Sequence, residues 1–152
     1  MTLLKSDKLT EHLQSIIHKE TQQHENHFDL TVDHIHKITE AGSLDFGGGE
    51  FQPADFHKVE PQKDNEGDKY GWWHLSGGTY RATMNEELRN FQDTTALLAA
   101  HTHAQKAGII TNSMILSGKK EINSITMNFT VPEAGCNIKE NARFAVLYLL
   151  AN

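Results

Sequence analysis

Ile125-Thr126-Met127-Asn128-Phe129-Thr130-Val131 alternates apolar and polar residues without a break. Successive side chains on an extended strand point to opposite faces, so this run reads as a strand with one buried and one solvated face. Working outward from it, Thr79 to Met84, Thr94 to Ala100, Gly108 to Ser113, Ile122 to Val131 and Arg143 to Leu150 are further short strand candidates, all downstream of Trp72-Trp73. Short strands separated by turn signals predict an all-β sandwich or barrel. No internal repeat is visible.

Upstream the pattern changes. Leu9, Leu13, Ile16 and Ile17 fall at helical spacing behind Ser6, a residue type suited to an N-cap, and predict one amphipathic helix from Lys5 to about Glu20. The polar stretch Gln22 to Asn26 ends it. Phe28, Leu30 and Val32 alternate with polar neighbours as a half-buried strand, and Ile35 and Ile38 then break the alternation. Either the strand bulges near His34 or a second short element begins there. Gly47-Gly48-Gly49 reads as a turn or loop tip, and it lacks the trailing Lys-Ser/Thr of a phosphate-binding P-loop. Lys58 to Lys69, charged and without periodicity, is expected to be an exposed loop. Nothing in it marks a boundary, so residues 1–152 are read as a single domain.

Bulk properties restrict the function. The net charge is -6, from 20 acidic and 14 basic residues, which disfavours a polyanionic nucleic acid as partner. A small anionic ligand needs only a few local cations. Hydrophobic residues make up 38% of the chain, a low share for one compact core, and burial is then often completed in an oligomer. No apolar run approaches the roughly 18 residues that span a bilayer, and the N-terminus has no apolar signal region. Cys136 is the single cysteine and cannot form an internal disulfide framework. These features place the chain in the cytoplasm, away from membranes. The ten histidines are many for this length, and imidazole is a common metal ligand.

In order and spacing, four segments, His27 to Val32, Gly77 to Glu86, Ala100 to Ile109 and Glu140 to Leu147, resemble the dUTPase and dCTP deaminase superfamily, with the deaminase branch the nearer one. His27-Phe28-Asp29-Leu30-Thr31-Val32, behind the expected helix, looks like the branch motif Ser-x-Asp-Leu/Val-x-Leu, with Asp29 at the aspartate position. Gly77-Gly78-Thr79-Tyr80-Arg81-Ala82-Thr83-Met84-Asn85-Glu86 looks like the turn and strand that lead to Thr-x-Glu. Ala100-His101-Thr102-His103-Ala104-Gln105-Lys106-Ala107-Gly108-Ile109 is similar to the phosphate-contacting motif Gly-Arg-Ser-Ser-x-x-Arg/Lys-x-Gly-Leu/Ile, and Glu140 to Leu147 to the closing strand. The match runs from about Ser6 to Leu149 and leaves Gly47 to Trp73 unaligned. It implies a mainly β fold, a distorted β-barrel of the β-clip, dUTPase-like type with an N-terminal helix. It also implies a homotrimer with nucleotide pockets between subunits, and Mg²⁺ accompanying a nucleoside triphosphate.

The departures from the family pattern bear on activity. The arginine that clamps phosphate falls at His101, and imidazole offers neither the permanent charge nor the bidentate fork of guanidinium. Thr102 retains a hydroxyl, His103 replaces the second serine, and Lys106 keeps the downstream basic position. In the dUTPase branch an aspartate activates water; the matching stretch, Ile115 to Glu121, contains none. In the deaminase branch a glutamate shuttles protons within Ile-x-Leu-Glu-Phe; here Ile125-Thr126-Met127-Asn128-Phe129 puts Asn128 at that position. An amide cannot accept and return a proton at neutral pH. With the last strand ending close to Asn152, the arm that closes over the triphosphate is also expected to be missing.

The resemblance therefore implies a nucleotide-binding relative with degenerate catalytic motifs, its ligand contacts drawn from Asp29, His101, Thr102, His103, Lys106 and Lys119. An active hydrolase or deaminase with a rebuilt site is the alternative, with Glu121 as relocated base, against its reading as a solvated charge beside Lys119 and Lys120. A third reading is a cupin-like metal-binding barrel. His101-Thr102-His103 in strand context would place two imidazoles on one face about 6–7 Å apart. His34-Ile35-His36 is a second such pair, with His24 and His27 close by in sequence. No metal ligand is assigned on this basis.

Overall fold

The computed structural model describes residues 1–117 and 121–151. In chain order the elements are β1 (Thr2–Leu3), α1 (Ser6–Leu9), β2 (Leu13–Gln14), α2 (Lys19–Gln22), β3 (Phe28–Glu40), β4 (Asp55–Val59), β5 (Trp72–Leu75), β6 (Gly78–Met84), β7 (Glu87–Arg89) and β8 (Thr94–Ala100). These are followed by α3 (Thr102–Lys106), β9 (Ile110–Thr111), β10 (Met114–Ser117), β11 (Glu121–Ile122), β12 (Thr126–Val131), β13 (Cys136–Lys139) and β14 (Arg143–Ala151). The main sheet runs β10-β8-β14-β3-β6-β12-β9, with β1 added to β14 and β4 to β3. It curls into a half-barrel, the mainly β architecture expected.

The alternating run around Met127 becomes β12, whose Met127, Phe129 and Val131 are buried while Asn128 and Thr130 are exposed. Phe129 lies between Tyr80 and Phe144, with ring centroids 5.6 Å and 5.0 Å away. This aromatic stack forms part of a core that also takes in Phe28, Leu30, Val32, Leu98 and Leu147.

β3 connects the two halves of the sheet. Phe28–Thr31 pair with β14, whereas Val32 to Lys37 pair with β6. The register shifts between Val32 and His34, so the break in alternation is a bulge rather than a second element. Residues 28–32 are all buried, not half-buried as alternation predicts. Phe28, Leu30 and Val32 face the core, while Gln22 of α2 bonds the Asp29 carbonyl and Glu86 accepts from Thr31.

The N-terminal helix is much shorter than the periodicity implies. One turn, α1, is followed by a 3-10 turn at Thr10–His12, and Leu13 then pairs with Leu88 of β7. Ser15 adopts φ +64, which no continuing helix tolerates. Leu9 and Leu13 are buried as the spacing demands, but Ile17 is exposed. A ladder to β7 has displaced the helical hydrogen bonds. Ser6 is the first helical residue and not its cap; its hydroxyl accepts from Gln23.

Gly47 to Gly49 form an exposed loop tip, as expected. The Asp45 carboxylate accepts the N–H groups of Gly48 and Glu50, and Gly48 takes φ +83. Of Lys58 to Lys69, the first two residues belong to β4 and the remainder lies outside named strands. Among the described residues no helix is long and apolar enough to cross a membrane.

Candidate functional site

Asp29 is the centre of the most heavily functionalised cleft. Its place on β3 opposite Val146 of β14 buries it completely, yet its side chain faces several polar groups. A tight turn brings two of them in: His24 N–H donates to His27 C=O at 3.0 Å, and the two rings stack 4.6 Å apart. His24 Nε2 lies 3.0 Å from Asp29 Oδ2, and His27 Nε2 lies 3.8 Å from Oδ1. His101, at the end of β8, reaches Oδ2 at 3.2 Å, and Arg143, the first residue of β14, donates to the same oxygen at 3.2 Å. Oδ2 is thus crowded with donors, while Oδ1 is buried with no hydrogen-bond partner.

The carboxylate is held from behind as well. Gln22 donates to the Asp29 carbonyl at 2.8 Å and to Glu86 Oε2 at 2.9 Å. Glu86, fully buried, accepts from the Thr31 N–H at 2.8 Å and the Thr31 hydroxyl at 2.6 Å. Burial pushes the Glu86 carboxyl above its ordinary range, opposed by the bonds from Thr31 and Gln22.

The tautomer of His101 follows from its contacts. The His103 N–H donates to His101 Nδ1 at 3.0 Å, so Nδ1 carries no proton and Nε2–H donates to Asp29. Both ring nitrogens are committed and the ring is neutral. Its pKa is lowered by burial, with Asp29 opposing and His103 and Arg143 adding to the fall. Burial, and then His24, likewise lower the pKa of His27.

The strand context expected for His101-Thr102-His103 is incorrect. β8 ends at Ala100, His101 caps α3 through its side chain, and His103 lies inside the helix. The capping bond replaces the ladder bonds that a continuing strand would have made. His101 is buried and His103 exposed, with their rings edge-on at 4.7 Å, so they present no matched pair on one face. His34 and His36 do lie on one strand, 5.2 Å apart and edge-on.

The cleft above Asp29 has a volume of about 490 Å³, and His103, Thr102 and Tyr148 also line it. His103 and Arg143 are shared with an adjoining apolar pocket of about 220 Å³ that includes Trp72, Ile109 and Phe144. Lys106 is exposed on α3 and lines neither. Asn128 lies elsewhere, exposed on β12, with its Oδ1 accepting from Arg81 Nε at 3.0 Å. The Arg81 guanidinium in turn stacks 3.8 Å above Phe56. Glu121 is exposed on β11, 3.9 Å from Arg89 Nε. Lys119 falls outside the described residues.

No family model matches the chain. It is 28% identical over 135 residues to a probable deoxyuridine 5'-triphosphate nucleotidohydrolase of Methanosarcina mazei, spanning 89% of this chain and 75% of the relative. A protein of the same name from Methanosarcina acetivorans is 27% identical over 154 residues, 97% of this chain and 86% of the relative. In fold the chain is similar to 2'-deoxycytidine 5'-triphosphate deaminase from Agrobacterium tumefaciens, with a TM-score of 0.71 and 12% identity. That likeness covers 99% of this chain and 48% of the deaminase, so the chain spans about half its length. In sequence and in fold the chain is thus similar to the dUTPase and dCTP deaminase superfamily, as a divergent relative.

The chain holds His101 and Asp29, the residues at two positions of the resembling motifs, in direct contact across 72 residues of sequence. His24, His27, Arg143, Gln22 and Glu86 complete the cluster and were not singled out from sequence as site residues. The one local signal for the first two is the spacing His24-x-x-His27-x-Asp29.

Proposed function

We propose that this protein binds a nucleotide with degenerate catalytic motifs, and turns over neither dUTP nor dCTP. The observation that supports this reading is the state of His101. At the position of the family's phosphate-clamping arginine sits a neutral imidazole, with one nitrogen capping α3 and the other bonded to Asp29. Neither is free to meet a phosphate oxygen. The other family position points the same way, since Asn128 is an exposed amide bonded to Arg81. Cations remain available to an anionic ligand: Arg143 is half-buried at the cleft wall, and Lys106 is exposed on the helix that follows His101. A volume of about 490 Å³ falls within the common range for small-molecule sites. The family architecture supports a homotrimer, and light scattering should then give a mass three times the 17.1 kDa of one chain.

The test is incubation of purified protein with each deoxynucleoside triphosphate and Mg²⁺, with products separated by chromatography and identified by mass. Thermal stability is followed in parallel. The expected result is no product above a heat-killed control and a nucleotide-dependent rise in stability, about 2.7 kcal/mol at a hundredfold excess over Kd. Turnover of any nucleotide overturns the degenerate reading, and a panel without any stabilisation overturns the binding reading.

A further inference from the structure

We propose that His24, His27 and Asp29 form a site for a divalent first-row transition-metal ion, with zinc as the probe ion. This goes beyond nucleotide binding and does not depend on it.

Geometry comes first. His24, His27 and Asp29 each offer one ligand atom, and these atoms lie within 4.8 Å of one another. Tetrahedral zinc with bonds of about 2.0–2.1 Å has ligand atoms about 3.4 Å apart. His27 Nε2 lies 3.8 Å from Oδ1, close to that value, and His24 Nε2 lies 3.0 Å from the other oxygen of the same carboxylate, Oδ2.

The second observation is Oδ1. It is a carboxylate oxygen shut away from water with no hydrogen-bond partner, an arrangement that costs free energy unless something binds there. Oδ2, by contrast, takes Arg143 and His101 at 3.2 Å each. Those donors fix the carboxylate so that Oδ1 faces His27, which is the role of outer-shell partners around metal-binding carboxylates.

His101 is excluded as a fourth ligand. Its Nδ1 accepts the His103 N–H, so its Nε2 keeps its proton, and coordination through Nε2 would need both nitrogens stripped. Its part is to orient Asp29. Two imidazoles and one carboxylate therefore bind the ion, and the remaining position opens to the cleft for water or an anionic oxygen. This donor set favours zinc, iron or copper over magnesium or calcium, which prefer all-oxygen shells. Arg143 opposes a cation here, but its side chain is 32% exposed and solvent screens its charge.

The experiment uses tag-free protein stripped with chelator, free of nucleotide, and titrated with Zn²⁺ by calorimetry. Bound metal is counted by mass spectrometry, and Co²⁺ absorption reports the coordination. One Zn²⁺ per chain is expected, with Mg²⁺ giving no heat. His24→Ala and His27→Ala should each weaken Zn²⁺ binding by about tenfold or more. Both side chains are partly exposed, so the variants keep the native circular dichroism. His34→Ala, at the other histidine pair, should change nothing. Absence of saturable Zn²⁺ binding, or binding that survives both His24→Ala and His27→Ala, overturns the proposal. Neither result bears on the nucleotide panel.

Discussion

Replacing Glu86 by glutamine removes one negative charge and one acceptor from a fully buried site, and the surroundings determine the outcome. The carboxylate accepts the Thr31 N–H, the Thr31 hydroxyl and the Gln22 amide. In Glu86→Gln the surviving oxygen keeps the Thr31 N–H, and the new NH₂ faces the other two groups. The Thr31 hydroxyl can turn and accept. Gln22 cannot flip, because its own oxygen already accepts from the N–H groups of Ile17 and His18 at 3.1 Å and 2.8 Å. One buried N–H is then left facing another, at a cost of about 1–3 kcal/mol. With a urea m-value near 2 kcal/mol/M, a loss of about 2 kcal/mol lowers the unfolding midpoint by about 1 M at unchanged m. The pH dependence adds a second readout. Burial raises the folded-state pKa of Glu86 above its ordinary 4.5, so the folded form holds the proton more tightly than the unfolded form. Its contribution is complete below about 4.5 and is lost as pH rises through the raised value. The gap between wild type and Glu86→Gln therefore widens as pH falls towards 4.5, while the other titrating groups cancel in the difference. A variant within about 0.5 kcal/mol of wild type, or a gap independent of pH, refutes the reasoning.

Phe129→Ala empties the centre of the Tyr80–Phe129–Phe144 stack and should cost about 3–5 kcal/mol in urea unfolding, leaving the Asp29 cluster intact in the folded fraction. Asn128→Glu restores the acid of the deaminase branch opposite Arg81; on this exposed pair it should alter stability by no more than about 1 kcal/mol. Product analysis with dCTP should stay at background, because His101 still lacks the clamp's charge.

Alternation made much of the sheet legible. β12 and β8 have one face in the core and one towards solvent or a half-buried surface, so burial imprints period two on their sequences. β5 and β13 are short and form a two-stranded sheet, and Trp72-Trp73-His74-Leu75 carries no clean alternation to betray them. The N-terminal segment misleads because Leu9 and Leu13 satisfy a helical spacing that the Leu13–Leu88 pairing then uses for another purpose. At the site, Asp29 and His101 stand out through the resemblance. The cluster around them is built by a tight turn at His24–His27, whose spacing to Asp29 is its one local trace, and by approach across the sheet, which no local pattern encodes. His101 shows the limit most clearly, for its neutral state depends on a single capping bond from His103.

The division of β3 between two partners also sets the order of assembly. Its first residues form their ladder with β14, and the Asp29–Arg143 contact spans 114 residues of chain. During synthesis β3 and β8 emerge long before their shared neighbour β14 and must wait with open edges. Closing so long a loop is entropically costly, and folds dominated by such distant pairings form slowly. The same wait exposes unpaired strands to other nascent chains, so the vulnerable moment for this protein is its birth rather than its mature state.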